Sequence, residues 1–126
     1  MRILDALRDL LLKYDFIEDA TFVAELIDLA NLDSPDLTSR LQSGRVWGMG
    51  LADIAFPGNV KGPDEEELRQ DDAQYKALLI RLADEMKAQG ISYERSELIA
   101  DALREGMRML RARGDWVPSP DADPSP

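Results

Sequence analysis

Apolar residues recur at helical spacing through most of the chain, and this pattern predicts an all-α fold. The first amphipathic helix is predicted over residues 2–14, where apolar positions recur every three or four residues between charged ones. After a break at Asp15 to Asp19, a second apolar stripe ends near Asn31, so the first two helices should form a hairpin. Ser34 and Pro35 mark the start of a short third helix, which should end at Ser43-Gly44.

Two longer helices are predicted in the second half of the chain, and they should lie antiparallel. The fourth begins in an acidic stretch at Asp64 and closes at Gly90, and the fifth is capped by Ser92 and ends at Gly114. The apolar side of the fourth helix is Leu68, Tyr75, Leu78, Leu79, Leu82 and Met86, and the inner face of the fifth is Leu98, Ile99, Ala102, Leu103, Met107 and Leu110. The expected architecture is one domain of about five helices over residues 1–117.

The stretch from Gly44 to Asn59 interrupts the helical pattern. Its glycines at 44, 48 and 50 allow either a positive φ or a close approach of backbone. We expect Arg45-Val46-Trp47 to be extended and Leu51 to Ala55 to make one helical turn before Phe56-Pro57-Gly58 stops it. This glycine-rich turn should sit between the two halves of the fold. Residues 118–126, which hold four prolines and no large apolar side chain, should form a disordered tail.

Composition removes several kinds of chemistry. The chain has 126 residues and contains neither cysteine nor histidine, which excludes disulfides, zinc fingers, thiolate nucleophiles and histidine-based triads. Carboxylates could hold a hard cation in principle, but no Asp-x-Asp-x-Asp-Gly loop is present, so we expect no metal and no cofactor. Neither a secretory signal nor a membrane-spanning run is seen, which predicts a cytoplasmic protein.

The chain is strongly acidic, with 25 acidic and 15 basic residues and a net charge of −10. Such a field repels phosphate backbones and anionic lipids, so nucleic-acid and membrane binding are disfavoured. It accelerates encounter with a basic protein partner. The alternative interpretation is that the charge only keeps a small protein soluble.

The glycine-rich stretch carries the first candidate binding residues. Trp47 at a rigid turn, with flexible Met49 two residues on, is typical of an anchor in a protein–protein contact. Asp53 could present a carboxylate there, and Phe56 adds apolar surface. The alternative is that Trp47 and Phe56 fill the core while Asp53 caps backbone N–H groups near the glycines.

Two charged groups are further candidates. An acidic block could grip a basic protein surface, although a solvated helix start is the simpler interpretation; its members are Asp64, Glu65, Glu66, Glu67, Asp71 and Asp72. On the last helix, Arg104, Arg108 and Arg111 share one side and could bind an anion. They could instead pair with Asp101 and Glu105 of the same helix.

The sequence Val46-Trp47-Gly48-Met49-Gly50-Leu51-Ala52-Asp53-Ile54-Ala55-Phe56 resembles the Gly-Met-Gly-Ser-hydrophobic-x-Asp-hydrophobic signature of a family of small bacterial α-helical proteins. Leu51 stands where that family tends to have serine. The family resembles, in size and acidity, the immunity proteins encoded beside bacterial toxins. The resemblance implies a bacterial, non-enzymatic protein and supplies no catalytic residue.

These observations lead to three hypotheses about function. The first is an acidic inhibitor or immunity-type protein that neutralises a partner, such as a basic toxin or effector, and is not an enzyme. The second is a structural or adaptor homodimer that uses an exposed helical face, for which Met107 and Met109 in one helix are suited. The third is a small-molecule binder with a pocket near Trp47.

Overall fold

The computed structural model of the chain describes residues 2–48, 50–54, 65–91 and 94–114. All regular structure within these ranges is helical, and no strand occurs in them. The predicted all-α class is confirmed. The elements are α1 (Arg2–Lys13), α2 (Ile17–Asn31), α3 (Asp36–Leu41), α4 (Gly44–Trp47), a 3₁₀ turn (Leu51–Asp53), α5 (Glu65–Ala88) and α6 (Glu94–Ala112).

The N-terminal hairpin of α1 and α2 forms as predicted. Leu4, Leu7 and Leu11 are fully buried on one side of α1. The chain reverses at Asp15, which has a φ of 63°, and the Phe16 N–H donates a 2.9 Å hydrogen bond to the Leu11 carbonyl. Aspartate tolerates this left-handed conformation better than most residues, so the turn needs no glycine. Helix α2 therefore starts within the segment that the sequence pattern marked as a break.

Helix α5 is central, because it packs on two sides. One side buries Tyr75, Leu78 and Leu82 in the main core with α1, and the other places Ile80 against Met107 of α6. All the apolar residues predicted for this helix are buried or partly buried. From the N-terminal to the C-terminal end of α6, the contacts run toward the N-terminal end of α5: Glu97 lies near Lys87, Arg104 near Asp84 and Met107 near Ile80. The two long helices are therefore antiparallel, as predicted.

The predicted inner face of α6 is wrong in part. Leu98 is 58% exposed and Ala102 is also exposed, whereas Ser96 and Ala100 are buried with Met107. Apolar residues occur on both sides of this helix, so their spacing alone does not select the buried side. The small side chains at 96 and 100 allow α6 to lie close to its neighbours, and this contact sets the rotation of the helix.

The glycine-rich stretch is also more helical than predicted. Gly44–Trp47 is one turn of helix rather than an extended segment, and α3 ends at Leu41 instead of at Ser43-Gly44. The predicted helical turn after Gly50 is present as the 3₁₀ turn. A Cβ on Gly50 would lie 1.5 Å from the carbonyl oxygen of Arg45, so this glycine is required by close backbone packing rather than by a positive φ.

Several predictions concern residues that the structure does not describe. They are the cap at Ser92, the start of the fourth helix at Asp64, the binding residues Met49 and Phe56, and the tail at 118–126. Among the described ranges, no helix is both long and apolar enough to cross a bilayer.

Candidate functional site

Trp47 lies in the core and not at the surface. Its relative exposure is 0%, and its indole Nε1 donates a 2.8 Å hydrogen bond to the carbonyl oxygen of Leu41. Val46 and Leu51 are fully buried with it. The one-turn helix α4 directs the ring inward, so in this conformation Trp47 exposes no surface to a partner and lies in the core, as the alternative interpretation expects. With no ring face exposed, Trp47 also offers no wall to a ligand pocket.

Asp53 remains available on the surface. It is exposed at the end of the 3₁₀ turn, where its backbone N–H donates a 3.1 Å hydrogen bond to the Gly50 carbonyl. Within the described residues its carboxylate accepts no hydrogen bond, so it does not cap the glycines.

Two carboxylates of the acidic block join α5 to α1. Lys13 Nζ lies 2.8 Å from Glu67 and 2.7 Å from Asp71, and the Tyr14 hydroxyl donates a 2.6 Å hydrogen bond to Asp71. The hydrogen bonds to Asp71 and Glu67 raise the pKa of Lys13. Burial, followed by the hydrogen bond to Asp71, raises the pKa of Tyr14. These carboxylates thus have a structural role.

Asp64 lies outside the described residues, and the other carboxylates of the block, Glu65, Glu66 and Asp72, point in different directions. Glu66 pairs with Arg69 at 2.8 Å, Asp72 pairs with Lys76 at 2.7 Å, and exposed Glu65 has no ion pair within the described ranges. Successive helical residues are rotated by about 100°, so three consecutive glutamates cannot share one face. The block is not one acidic surface.

The arginines of α6 are largely neutralised. Arg104 pairs with Asp84 of α5 and lies 3.7 Å from Asp101, and Arg108 Nε donates a 3.0 Å hydrogen bond to Glu105. This pairing lowers the pKa of Glu105 and raises that of Arg108. Only Arg111 of the proposed anion site has no ion pair among the described residues. The pairing that the sequence offered as the alternative is the one observed.

A surface that sequence reasoning missed lies at the turn between α1 and α2. Leu12 is 46% exposed and Ile17 is 55% exposed on either side of the turn. Asp15 and Glu18 are exposed there and form no ion pair in the part of the chain that the structure describes. The run Leu10-Leu11-Leu12 indicates that one apolar side chain is exposed at this end of α1, because three adjacent helical residues cannot all face one core.

This turn adjoins the start of α5. Lys13 follows Leu12 in the chain, and its side chain reaches Glu67 and Asp71, so the acidic start of α5 lies beside the turn. We call the surface formed by Leu12, Asp15, Ile17, Glu18 and Glu67 the turn surface. It combines exposed apolar side chains with carboxylates, which is the combination that the sequence placed around Trp47.

The described residues contain no group of carboxylates that could hold a metal ion. The turn surface offers exposed apolar area and negative charge.

No protein family, curated protein or solved structure matches this chain.

Proposed function

We propose that the protein is an acidic, non-catalytic binding module that neutralises a partner protein with a basic surface, in the manner of an inhibitor or immunity protein. The observation that supports this most directly is the pair of exposed apolar side chains, Leu12 and Ile17, next to Asp15 and Glu18, which form no ion pair with any residue that the structure describes. An apolar contact surrounded by one sign of charge is a common form of protein interface.

Leu12 and Ile17 keep apolar surface that folding leaves in contact with water. A leucine or isoleucine side chain contributes about 1.5–3 kcal/mol when it is fully buried, so Leu12 and Ile17 retain a share of this free energy that a partner can use. Single exposed apolar residues are ordinary, but here two of them flank one turn. The net charge of −10 would attract a basic partner and repel acidic proteins.

Affinity capture from a lysate of the source cells tests the proposal. The wild-type protein should retain a basic protein at about 50 mM salt and lose much of it at about 500 mM, because the Debye length shortens about threefold. The double variant Leu12→Ala/Ile17→Ala should retain much less of it. Leu32→Ala is the matched control, since Leu32 is 76% exposed at the other end of α2. The proposal fails if no protein is retained, or if all three proteins retain it equally.

A further inference from the structure

Helix α6 exposes apolar residues on the side that faces away from the core. Leu98 and Met109 are each 58% exposed, and Ala102 between them is exposed as well. Their spacing of four and seven residues places them within about 40° on the helix, opposite buried Ala100 and Met107. Helix α6 thus has two apolar sides, of which α5 covers one.

From this arrangement we infer that the outward face of α6 binds the same face of a second copy of the chain, with the two helices antiparallel. The surface is distinct from the turn surface, so the inference does not depend on the proposed function. In an antiparallel pair related by a two-fold axis, Leu98 of each copy lies against Met109 of the other. The two large exposed side chains of the face are then both covered.

Small residues lie at the centre of this face. The midpoint between positions 98 and 109 falls between Ala102 and Gly106, and a Cβ on Gly106 would meet no atom within 4 Å. Small side chains at the crossing point let two helices approach closely. Glu105, which shares this region, is neutralised by Arg108 of its own helix.

The distribution of charge along α6 favours a second copy of the chain as the partner and an antiparallel direction of the two helices. The first half of α6 carries Glu94, Glu97 and Asp101 against Arg95, and the second half carries Arg104, Arg108 and Arg111 against Glu105, so the two halves have net charges of opposite sign. A second copy in the antiparallel direction brings the acidic half of one helix beside the basic half of the other. In this register Asp101 of each copy lies next to Arg108 of the other, at the positions flanking the apolar contact. A parallel pair would instead place like charges together, which is unfavourable.

The state of association can be measured by sedimentation equilibrium on the full chain across the micromolar range. The expected result is a concentration-dependent rise from the monomer mass of 14.1 kDa to twice that value. Met109→Glu should raise the dimer dissociation constant at least about tenfold, equivalent to 1.4 kcal/mol. Leu32→Glu is the matched control, and it should leave the constant unchanged, because Leu32 is 76% exposed at the end of α2 and lies outside both this face and the turn surface.

A charge swap tests the direction of the pair. Asp101→Arg alone and Arg108→Asp alone should each weaken the dimer, and the double variant should restore it, because both contacts between copies are then of opposite charge. Within one helix positions 101 and 108 are about 10 Å apart, so restoration requires two chains. The inference is overturned by a monomer at every concentration, which would assign the face to another protein or to residues 115–126 of the chain itself. It is also overturned by a dimer that Met109→Glu leaves intact, or by a double variant as weak as the single ones.

Discussion

The indole Nε1 of Trp47 donates a 2.8 Å hydrogen bond to the carbonyl oxygen of Leu41, and both residues are almost completely buried. This bond joins α4 to the end of α3 and satisfies a carbonyl that the helix end leaves without an intrahelical partner. The bond thus holds Trp47, the largest side chain of the irregular stretch, in the core.

Replacing Trp47 with phenylalanine should therefore reduce stability. The substitution leaves a buried carbonyl acceptor without its donor and creates a small cavity, so the free energy of unfolding should fall by about 2–4 kcal/mol. Urea denaturation followed by circular dichroism measures the change. A loss below about 0.5 kcal/mol, the range of ordinary surface substitutions, would mean that the ring is not in the core.

Two glycines of the same stretch should differ sharply in their response to alanine. At Gly50 an added Cβ would lie 1.5 Å from the Arg45 carbonyl oxygen, so backbone would have to move, and Gly50→Ala should destabilise the protein by about 3 kcal/mol or more. At Gly44 an added Cβ meets nothing within 4 Å, and Gly44→Ala within α4 should be neutral or stabilising by up to about 1 kcal/mol. Thermal denaturation of both variants compares them, and equal effects would contradict the packing at Gly50.

Adjacent leucines at the end of α1 provide a second matched pair. Leu11 is fully buried and Leu12 is 46% exposed. Leu11→Ala should cost about 2–5 kcal/mol of stability, because it leaves a cavity in the core. Leu12→Ala should cost less than about 1 kcal/mol, since much of its surface is already in water. Chemical denaturation decides this, and a similar loss in both variants would show that α1 is rotated differently.

Stability should fall in alkaline solution. The folded protein raises the pKa of Lys13 above its ordinary value of 10.5 and that of Tyr14 above 10.0, so it holds both protons more tightly than the unfolded chain does. The stabilising contribution of each is complete below the ordinary value and is lost as the pH rises through the folded one. The free energy of unfolding should therefore decline above about pH 10.

Tyr14→Phe tests whether the loss of stability in alkaline solution comes from Lys13 and Tyr14. It removes one of the two groups, so the decline between about pH 10 and 12 should be shallower than in the wild type, although stability at pH 8 is lower by about 1 kcal/mol. Tyr75, whose pKa burial also raises, stays in both proteins as a constant contribution. An unchanged slope would show that Tyr14 does not titrate differently in the folded state.

The buried side of a helix could be predicted from the sequence where the helix has only one apolar side. In α5, Tyr75, Leu78 and Leu82 follow a regular spacing, and all three are buried as expected. In α6 both sides carry apolar residues, and hydrophobicity alone favours Leu98 over Ser96 for the core, whereas Ser96 is the residue that is buried. Ser96 is buried in place of Leu98 because its small side chain permits close contact between helices.

The candidate site was predicted less well for a related reason. Tryptophan near glycines is typical of binding loops and of cores alike, and only the one-turn helix α4 decides that Trp47 faces inward. The acidic block reads as continuous along the chain, but helical rotation distributes it. The turn surface depends on the rotation of α1 and α2 about one bend, which residue types alone do not specify.

The tight contact at Gly50 has a consequence for evolution. No side chain fits against the Arg45 carbonyl oxygen without displacing backbone, so glycine should persist at this position while neighbouring residues drift. Distant members of a lineage that shares this fold should therefore be recognisable by a glycine three residues after an aromatic, even where their other residues have diverged.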